Sequence, residues 1–207
     1  MSFGDVNWVG GDHLYITRET VNKLLIQNEQ EVTSMPKEIL DLNGLEAALN
    51  SNPMIKTAEV YLTVNGEVRA DVEQRKPIAR VVENTSFYID DEGKMMPLSE
   101  NRSARVPLVT GHINKNDLSN VFLIAQKIQE DEFLQTHIVE IIQHQDLSLS
   151  LKARTLEFEI YLGNLNYLER KISNLKAFYQ KAKKDKSLSI YKKVNLQFEQ
   201  QVVCTKK

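Results

Sequence analysis

Apolar and polar side chains alternate along two neighbouring segments of the chain, residues 58–64 and 68–73. Successive residues of a strand point to opposite faces of a sheet, so this pattern predicts two strands, each with one buried face. Asn65-Gly66 lies between them, and this pair tolerates the positive φ values of a type I′ turn. The sequence therefore predicts a β-hairpin. Its buried side chains are expected to be Ala58, Val60, Leu62, Val64, Val68, Ala70 and Val72.

The residues before the hairpin are predicted to contain one strand and two helices. Residues 1–12 show no periodicity, so we expect a flexible lead, and residues 14–16 are predicted to form a short strand. Thr17 can cap a first helix, whose apolar residues repeat at helical spacing. Asn43 is expected to cap a second helix, with Glu46 completing a capping box. The order β-α-α-β-β suits a small two-layer domain.

The rest of the chain alternates between short strands and amphipathic helices. Pro77 lacks an N–H, so it marks either a kink or a sheet edge just after the hairpin. Residues 155–162 show a second clean alternation, and the longest amphipathic helix follows them. Residues 190–198 and 201–204 are predicted to be the last two strands. We therefore predict an α+β fold in which a β-α-α-β-β domain abuts a mixed β-sheet domain with flanking helices.

Composition narrows the classes of function. The 207 residues carry a net charge of −2, and nucleic-acid binding usually requires a basic surface, so we predict no nucleic-acid partner. The single cysteine, Cys204, excludes an internal disulfide and any site with several cysteine ligands. The sequence contains neither an apolar run long enough to span a bilayer nor a signal peptide. We expect a cytosolic chain or the soluble part of a longer protein.

Motifs that carry catalysis are missing from the sequence. It contains no GxSxG, GxGxxG, HExxH or phosphate-binding loop motif. His137, His144 and Asp146 could act as metal ligands, with the last two on one face of a predicted strand. Exposed polar residues on an edge strand are the simpler interpretation of these three. We therefore predict that the protein is not an enzyme, and that it has no catalytic residues, metal site or cofactor.

The segments that flank the hairpin resemble those of a known family. Asn52-Pro53 ends the second helix, Gly66 lies in the turn, and Gln74-Arg75-Lys76-Pro77-Ile78-Ala79 leaves the hairpin. This arrangement resembles the POTRA domain of FtsQ/DivIB, the bacterial cell-division proteins. The signature residues that carry this part of the resemblance are Asn52, Pro53, Gly66, Gln74, Arg75, Pro77 and Ala79.

Motifs farther along the chain extend the resemblance over nearly all of it. Phe87-Tyr88-Ile89-Asp90 is similar to the start of the family's Y-x-(I/V)-D…G hairpin, and Pro107-Leu108-Val109-Thr110-Gly111 is similar to its P-x-(L/I)-x-G step. Leu162-Gly163 is similar to its strand-to-helix junction, and Val194-Asn195-Leu196-Gln197-Phe198 to its penultimate strand. The domains expected on this basis are a flexible lead (1–12), a POTRA domain (13–83), an FtsQ-type β-domain (84–204) and a tail (205–207).

The resemblance also implies a function. FtsQ/DivIB proteins are non-enzymatic scaffolds held in the inner membrane by one N-terminal transmembrane helix, with the part that this chain resembles on the periplasmic side at the division septum. They bind FtsB-like and FtsL-like membrane proteins, and they help to control septal peptidoglycan synthesis by FtsW/FtsI-type synthases.

The partner-binding surface implied by the resemblance is the C-terminal edge strand with its neighbour. A strand at a sheet edge has unpaired backbone groups to which a partner strand can add. Alternation favours core packing for Val194, Leu196 and Phe198, so the glutamines are the better candidates for an exposed face. The predicted partner-binding residues are Tyr191, Gln197, Phe198, Gln200, Gln201, Val202, Val203 and Cys204.

A second interpretation stays open on the sequence: a POTRA-bearing component of outer-membrane protein assembly or secretion. That interpretation predicts a barrel or further POTRA repeats elsewhere in the full gene. The first interpretation predicts one transmembrane helix and a short cytoplasmic tail upstream of Met1.

Overall fold

The computed structural model describes residues 3–10, 15–32 and 41–207, and the chain divides into two compact units. The first unit comprises residues 1–76 with 95–104, and the second comprises residues 77–94 with 105–207. The division thus falls before Pro77 rather than after residue 83, because the segment that starts at Pro77 is a strand of the second unit's sheet.

The first unit has the predicted β-α-α-β-β order. Its elements are β1 (Phe3–Val9), α1 (Arg18–Val32), α2 (Leu42–Asn50), β2 (Ile55–Leu62) and β3 (Val68–Gln74). β3 lies in the middle of a three-stranded sheet, parallel to β1 and antiparallel to β2. The core of this unit contains Val6, Ile16, Val21, Leu25, Leu45, Leu49, Ile55, Ala58, Val60, Val68, Ala70 and Val72.

The first strand begins earlier than the sequence predicts. Residues 3–9 pair with β3, so the expectation of a flexible lead is wrong for them. Tyr15 and Ile16 form a bend rather than a strand, and Leu14 lies outside the described residues. The Nδ2 group of Asn7 donates to Oδ1 of Asp71 at 3.0 Å. A strand fixed by a partner so distant in sequence leaves no local pattern from which it could be predicted.

Side chains cap both helices of the first unit. Oγ1 of Thr17 accepts a hydrogen bond from the N–H three residues on, at 3.2 Å, which confirms this predicted cap. The cap of α2 is Asp41 rather than Asn43, because Oδ1 of Asp41 accepts from the N–H three residues on at 2.9 Å. The prediction of a capping box is wrong, since the carboxylate of Glu46 accepts from the N–H of Val60 instead.

The hairpin has a three-residue loop rather than a type I′ turn. The N–H of Thr63 donates to the C=O of Glu67, and the N–H of Gly66 donates to the C=O of Thr63, each at 2.9 Å. Gly66 has a φ of +75°, whereas the two loop residues before it have negative φ, as in a type I turn closed by a left-handed residue. Leu62 and Val64 were predicted to be buried but are 46% and 106% exposed, because the hairpin extends beyond the core of this unit.

The second unit is built from short strands and three helices. In chain order, its elements are β4 (Pro77–Val81), β5 (Phe87–Asp90), β6 (Met95–Met96), β7 (Leu108–Gly111), α3 (Ser119–Glu130), α4 (Glu132–His137), β8 (Ile138–Gln143), β9 (Leu149–Ala153), β10 (Glu159–Gly163), α5 (Leu168–Lys184), β11 (Tyr191–Asn195) and β12 (Val203–Lys206). A single 3₁₀ turn, Leu188–Ile190, precedes β11.

The strands form a mixed sheet in the order β12-β11-β10-β9-β8-β7-β4-β5, and the short β6 follows β5 in that order. Pro77 is the first residue of β4, which lies between β7 and β5. The prediction that Pro77 marks a sheet edge is therefore wrong. A strand in the interior of a sheet tolerates proline at its first residue. The parallel strands β10 and β11 are connected through α5, which confirms the longest predicted helix.

Neighbouring residues of the central strands have opposite surroundings. Leu151, Ile160 and Val194 are buried in one cluster with apolar residues of α3 and α5. The residues next to them in sequence lie on the other face, where Nζ of Lys193 is 4.4 Å from the centre of the Tyr161 ring. One face of the sheet therefore carries the core, and the other face is polar.

Candidate functional site

The strand β12 ends the order of the larger sheet. It is antiparallel to β11, with Thr205 opposite Lys193 and Val203 opposite Asn195. The described part of the chain contains no strand on its other side. The last strand therefore lies at a sheet edge, as the sequence analysis expected.

The direction of the backbone groups of β12 follows from one hydrogen bond. The N–H of Lys207 donates to the C=O of Ile190 at 2.9 Å, so this residue faces the neighbouring strand. Backbone groups point in opposite directions at successive residues of a strand, so Thr205 also faces β11. The N–H and C=O groups of Cys204 and Lys206 consequently point away from the sheet, where a further strand could pair with them.

The edge strand begins later than the sequence predicts. We expected a strand over residues 201–204, whereas β12 starts at Val203 and ends at Lys206. Gln200 and Gln201 are exposed and precede the strand. The strand that could pair with a partner therefore covers residues 203–206, two residues closer to the C-terminus than predicted.

Contacts with α5 explain this shift. Nδ2 of Asn174 donates to the C=O of Glu199 at 3.2 Å, and Arg170 forms an ion pair with the carboxylate of the same residue. Both partners lie on α5, so the connection between β11 and β12 is held against that helix. The chain uses residues 196–202 to reverse direction, and pairing resumes only at Val203.

Three of the predicted partner-binding side chains pack toward the core instead of outward. Tyr191 lies edge-on to Phe178, with ring centroids 5.2 Å apart. Val202 and Cys204 are half-buried against the core cluster of the second unit. Burial raises the pKa of the Cys204 thiol, which makes it a weak nucleophile at neutral pH. These side chains are placed to support the edge strand.

Gln197 and Phe198 line an open cavity of about 510 Å³. Phe198 is 40% exposed and Leu147, in the same cavity, is 49% exposed. The expectation that Phe198 packs in the core is therefore wrong. Strand β11 ends at Asn195, whose Oδ1 accepts from the N–H of Gln197 at 2.9 Å, and this local turn breaks the alternation.

Two domain families match consecutive parts of the chain. The POTRA-like domain matches residues 11–73. The family described as FtsQ/DivIB, C-terminal related matches residues 76–205, which is more than half of the 207 residues. The chain belongs to the FtsQ/DivIB C-terminal-related family. None of the curated proteins matches it.

Membership of the FtsQ/DivIB family confirms the resemblance and the α+β fold with a POTRA-like domain. It supports a role in cell division, in a family of non-enzymatic division scaffolds. A match that continues over residues 76–205 extends well beyond a POTRA domain, so it favours this role over outer-membrane protein assembly.

Two signature residues of the FtsQ/DivIB resemblance hold the first unit together. Oε1 of Gln74 accepts from the N–H of Tyr15 at 3.0 Å, and its Nε2 donates to the C=O of Ile16 at 3.1 Å. The end of β3 is thereby fixed to the start of α1. Oδ1 of Asn52 accepts from the N–H of Met54 at 2.9 Å, which shapes the turn before β2.

The other signature residues also shape the backbone. Gly66 closes the hairpin loop, and the N–H of Arg75 donates to the C=O of Met54, just before β2, at 3.0 Å. Pro77 and Ala79 are buried in β4, whereas Pro53 is exposed. The contacts described for these residues shape the backbone of the chain.

Polar side chains of α2 cover part of β2, an edge strand of the three-stranded sheet. Nδ2 of Asn50 donates to the C=O of Ala58 at 3.1 Å, and Oδ1 of Asn50 accepts from the N–H of the same residue at 2.8 Å. The carboxylate of Glu46 accepts from the N–H of Val60 at 3.1 Å. These contacts satisfy the outward groups that a strand partner would need, so this stretch of β2 is closed to pairing. Sequence analysis missed both roles, although the spacing of four residues placed both side chains on one face of α2.

Lys171 is a buried cation at the junction between β10 and α5. It is 2% exposed, and its Nζ donates to the C=O of Leu162 at 2.9 Å and to the C=O of Asn164 at 2.6 Å. Burial lowers the pKa of Lys171. The ammonium group satisfies two backbone oxygens as the chain leaves the sheet.

Replacement of Lys171 by Met should lower the free energy of unfolding by about 2–4 kcal/mol, because two backbone oxygens would lose a buried donor. Chemical denaturation followed by circular dichroism measures this change. Lys184→Met, an exposed position on the same helix, is the matched control and should alter stability by less than about 0.5 kcal/mol. A Lys171→Met variant more stable than the parent would show that the cost of burying the charge dominates.

The lowered pKa of Lys171 also predicts a dependence on pH. Between the folded-state pKa and the ordinary lysine value, the unfolded chain binds more protons, so the free energy of unfolding should rise as the pH increases through that window. In the Lys171→Met variant, the free energy of unfolding should lose this contribution to its rise with pH, as chemical denaturation at a series of pH values would measure.

The two histidines considered as metal ligands lie in different places. His137 ends α4, where its Nε2 is 3.2 Å from the hydroxyl of Tyr179. His144 follows β8 in the turn to β9, with its Nε2 2.8 Å from Oγ of Ser150, so the placement of His144 and Asp146 on one strand face is wrong. Among the described residues, no cluster of three or more potential ligands occurs. No helix in the described ranges is long and apolar enough to cross a membrane.

Proposed function

We propose that this chain is the extracytoplasmic part of a non-enzymatic division scaffold, and that it binds an FtsB-like partner by strand addition to β12. The observation that carries the proposal is the position of β12 at the end of the larger sheet, with the backbone groups of Cys204 and Lys206 directed outward. A partner strand would satisfy these groups and extend the sheet.

The surroundings of β12 support this use. The open cavity beside Gln197 and Phe198 offers a place for an apolar side chain of the partner. By contrast, the side chains of Glu46 and Asn50 occupy the outward groups of β2 over residues 58–60. Within the described residues, no side chain bonds to the outward backbone groups of Cys204 and Lys206 in β12, in contrast to those of β2.

The wider role follows from the family. We infer that the full-length protein has one N-terminal transmembrane helix in the inner membrane, and that the chain lies on the periplasmic side at the division septum. FtsB-like and FtsL-like membrane proteins are the proposed partners. Through them the scaffold would help to control septal peptidoglycan synthesis by FtsW/FtsI-type synthases.

Hydrogen exchange tests the proposed mode of binding. On addition of the extracytoplasmic segment of an FtsB-like partner, the amides of Cys204 and Lys206 should exchange at least about tenfold more slowly, because they gain acceptors in the added strand. The amide of Thr205 already faces β11 and is the internal control. Equal protection of all three amides, or protection of none, would contradict strand addition at this edge.

A further inference from the structure

We propose that the tip of the β2–β3 hairpin contacts the lipid bilayer. The tip is defined as Leu62, Thr63, Val64, Asn65 and Gly66. This inference rests on the proposed function, in which a membrane anchor precedes the chain, and it adds a second membrane contact to that anchor.

The tip exposes apolar side chains that contribute nothing to the core of the first unit. Val64 is completely exposed, Leu62 is 46% exposed, and the neighbouring Tyr61 is 39% exposed. A single exposed apolar side chain is ordinary on a protein surface, but here three lie within four consecutive residues at the end of a hairpin. The nearby charges of Glu67 and Arg69 form an ion pair at 3.2 Å, so they bring little net charge to the tip.

The pairing of β1 places the tip on the side from which an anchor would enter. Phe3, the first residue of β1, lies opposite Val68, the first residue of β3 after the tip. Neighbouring strands are about 4.8 Å apart, so the start of β1 lies close to the base of the tip. Strand β1 is parallel to β3 and runs away from the tip, toward Val9 opposite Glu73. A chain that emerges from a bilayer to enter β1 therefore brings the tip toward the same bilayer.

A contact of this kind need not be strong. Burial of two aliphatic side chains in the lipid interface gives weak binding to free protein. An anchor fused to the start of β1 raises the effective concentration of lipid around the tip, so a weak contact becomes populated. The occupant favoured by the apolar tip and its position beside the entry of the chain is the bilayer itself.

A fluorescent probe at position 64 tests the proposal. The chain, in a Cys204→Ser background, carries Val64→Cys labelled with an environment-sensitive nitrobenzoxadiazole group and is tethered by an N-terminal histidine tag to zwitterionic vesicles that contain a chelating lipid. We expect at least about a twofold rise in emission on tethering, with quenching by spin-labelled lipids, because the probe enters an apolar medium. Val9→Cys, an exposed apolar position at the far end of β1, is the matched control and should not respond.

Two further results decide the outcome. Leu62→Ser should reduce the response at position 64 by about half or more, because it removes apolar area from the tip. An unchanged signal at position 64 on tethering, or equal responses at positions 64 and 9, would overturn the proposal. A rise in emission at position 64 that occurs with an FtsB-like partner in the absence of vesicles would assign the tip to a protein contact instead. Exchange at Cys204 and Lys206 is measured separately, so failure at the tip leaves the proposed function of β12 standing.

Discussion

Proline at position 206 should abolish most of the binding of an FtsB-like partner while the chain stays folded. Lys206→Pro removes an N–H that points away from the sheet and places a ring where an added strand would approach. Loss of one hydrogen bond together with this clash should weaken binding at least about tenfold, and Cys204→Pro combined with Lys206→Pro should weaken it further. Isothermal titration calorimetry with the extracytoplasmic segment of the partner gives the change in affinity.

Two control variants separate the backbone from the side chain and fix the register. Lys206→Ala retains the N–H and should bind nearly as well as the parent. Gln201→Pro lies before β12 and tests the register expected from the sequence, in which residues 201–204 form the strand. Strand addition in the observed register predicts a small effect for Gln201→Pro and a large one for Lys206→Pro. Full binding by Lys206→Pro would refute strand addition at this edge.

Replacement of Gly111 by Ala should destabilise the second unit severely. Gly111 ends β7 with a φ of +97°, and an added Cβ would lie 2.2 Å from the backbone oxygen of Gln143 in β8. A left-handed conformation costs a non-glycine residue about 1–2 kcal/mol. The clash with a backbone atom adds at least about 1–3 kcal/mol, because two hydrogen-bonded strands must separate to relieve it. The free energy of unfolding should therefore fall by about 2–5 kcal/mol.

Gly66→Ala is the matched comparison for this prediction. Gly66 also has positive φ, at +75°, but an added Cβ there would meet no atom within 4 Å. Its cost should be limited to the conformational term of about 1–2 kcal/mol. Urea denaturation followed by circular dichroism measures unfolding of both units, and fluorescence of Trp8, the single tryptophan, reports on the first, so a transition seen only by circular dichroism belongs to the second. Equal losses of stability for the two variants would show that the approach of Gln143 is not what requires glycine at position 111.

Gly66 and Gly111 show which features of the fold the sequence predicts and which it does not. Asn65-Gly66 between two alternating segments predicted a hairpin, and the hairpin is confirmed. The loop type was wrong, because the length of the loop is set by which residues of β2 and β3 pair. Gly111 belongs to the motif that resembles the family, but the reason for glycine there is the approach of β8. Strand β8 lies about thirty residues on, where no local pattern reveals the contact.

The edge strand β12 was also predicted only in part. Alternation identified a last strand and placed it near the C-terminus, yet it assigned the strand to residues 201–204 and Phe198 to the core. Contacts of Glu199 with α5 delay the return of the chain, so that pairing resumes at Val203. The strand is thereby displaced by two residues, so that Gln201 and Val202 leave the predicted strand and Thr205 and Lys206 enter it. The outward amides therefore belong to residues that only the folded structure identifies.

The sequence by itself determined the two helices and the hairpin of the first unit, the long helix α5, the family signature and the edge position of the last strand. These features are encoded locally, through alternation, helical spacing and turn residues. Tertiary structure alone decided the strand at residues 3–9, the interior position of β4, the burial of Lys171, the closure of β2 by Asn50 and the outward direction of Cys204 and Lys206. Each of these depends on partners distant in the chain, and such pairings are set by packing of the whole core rather than by any one segment.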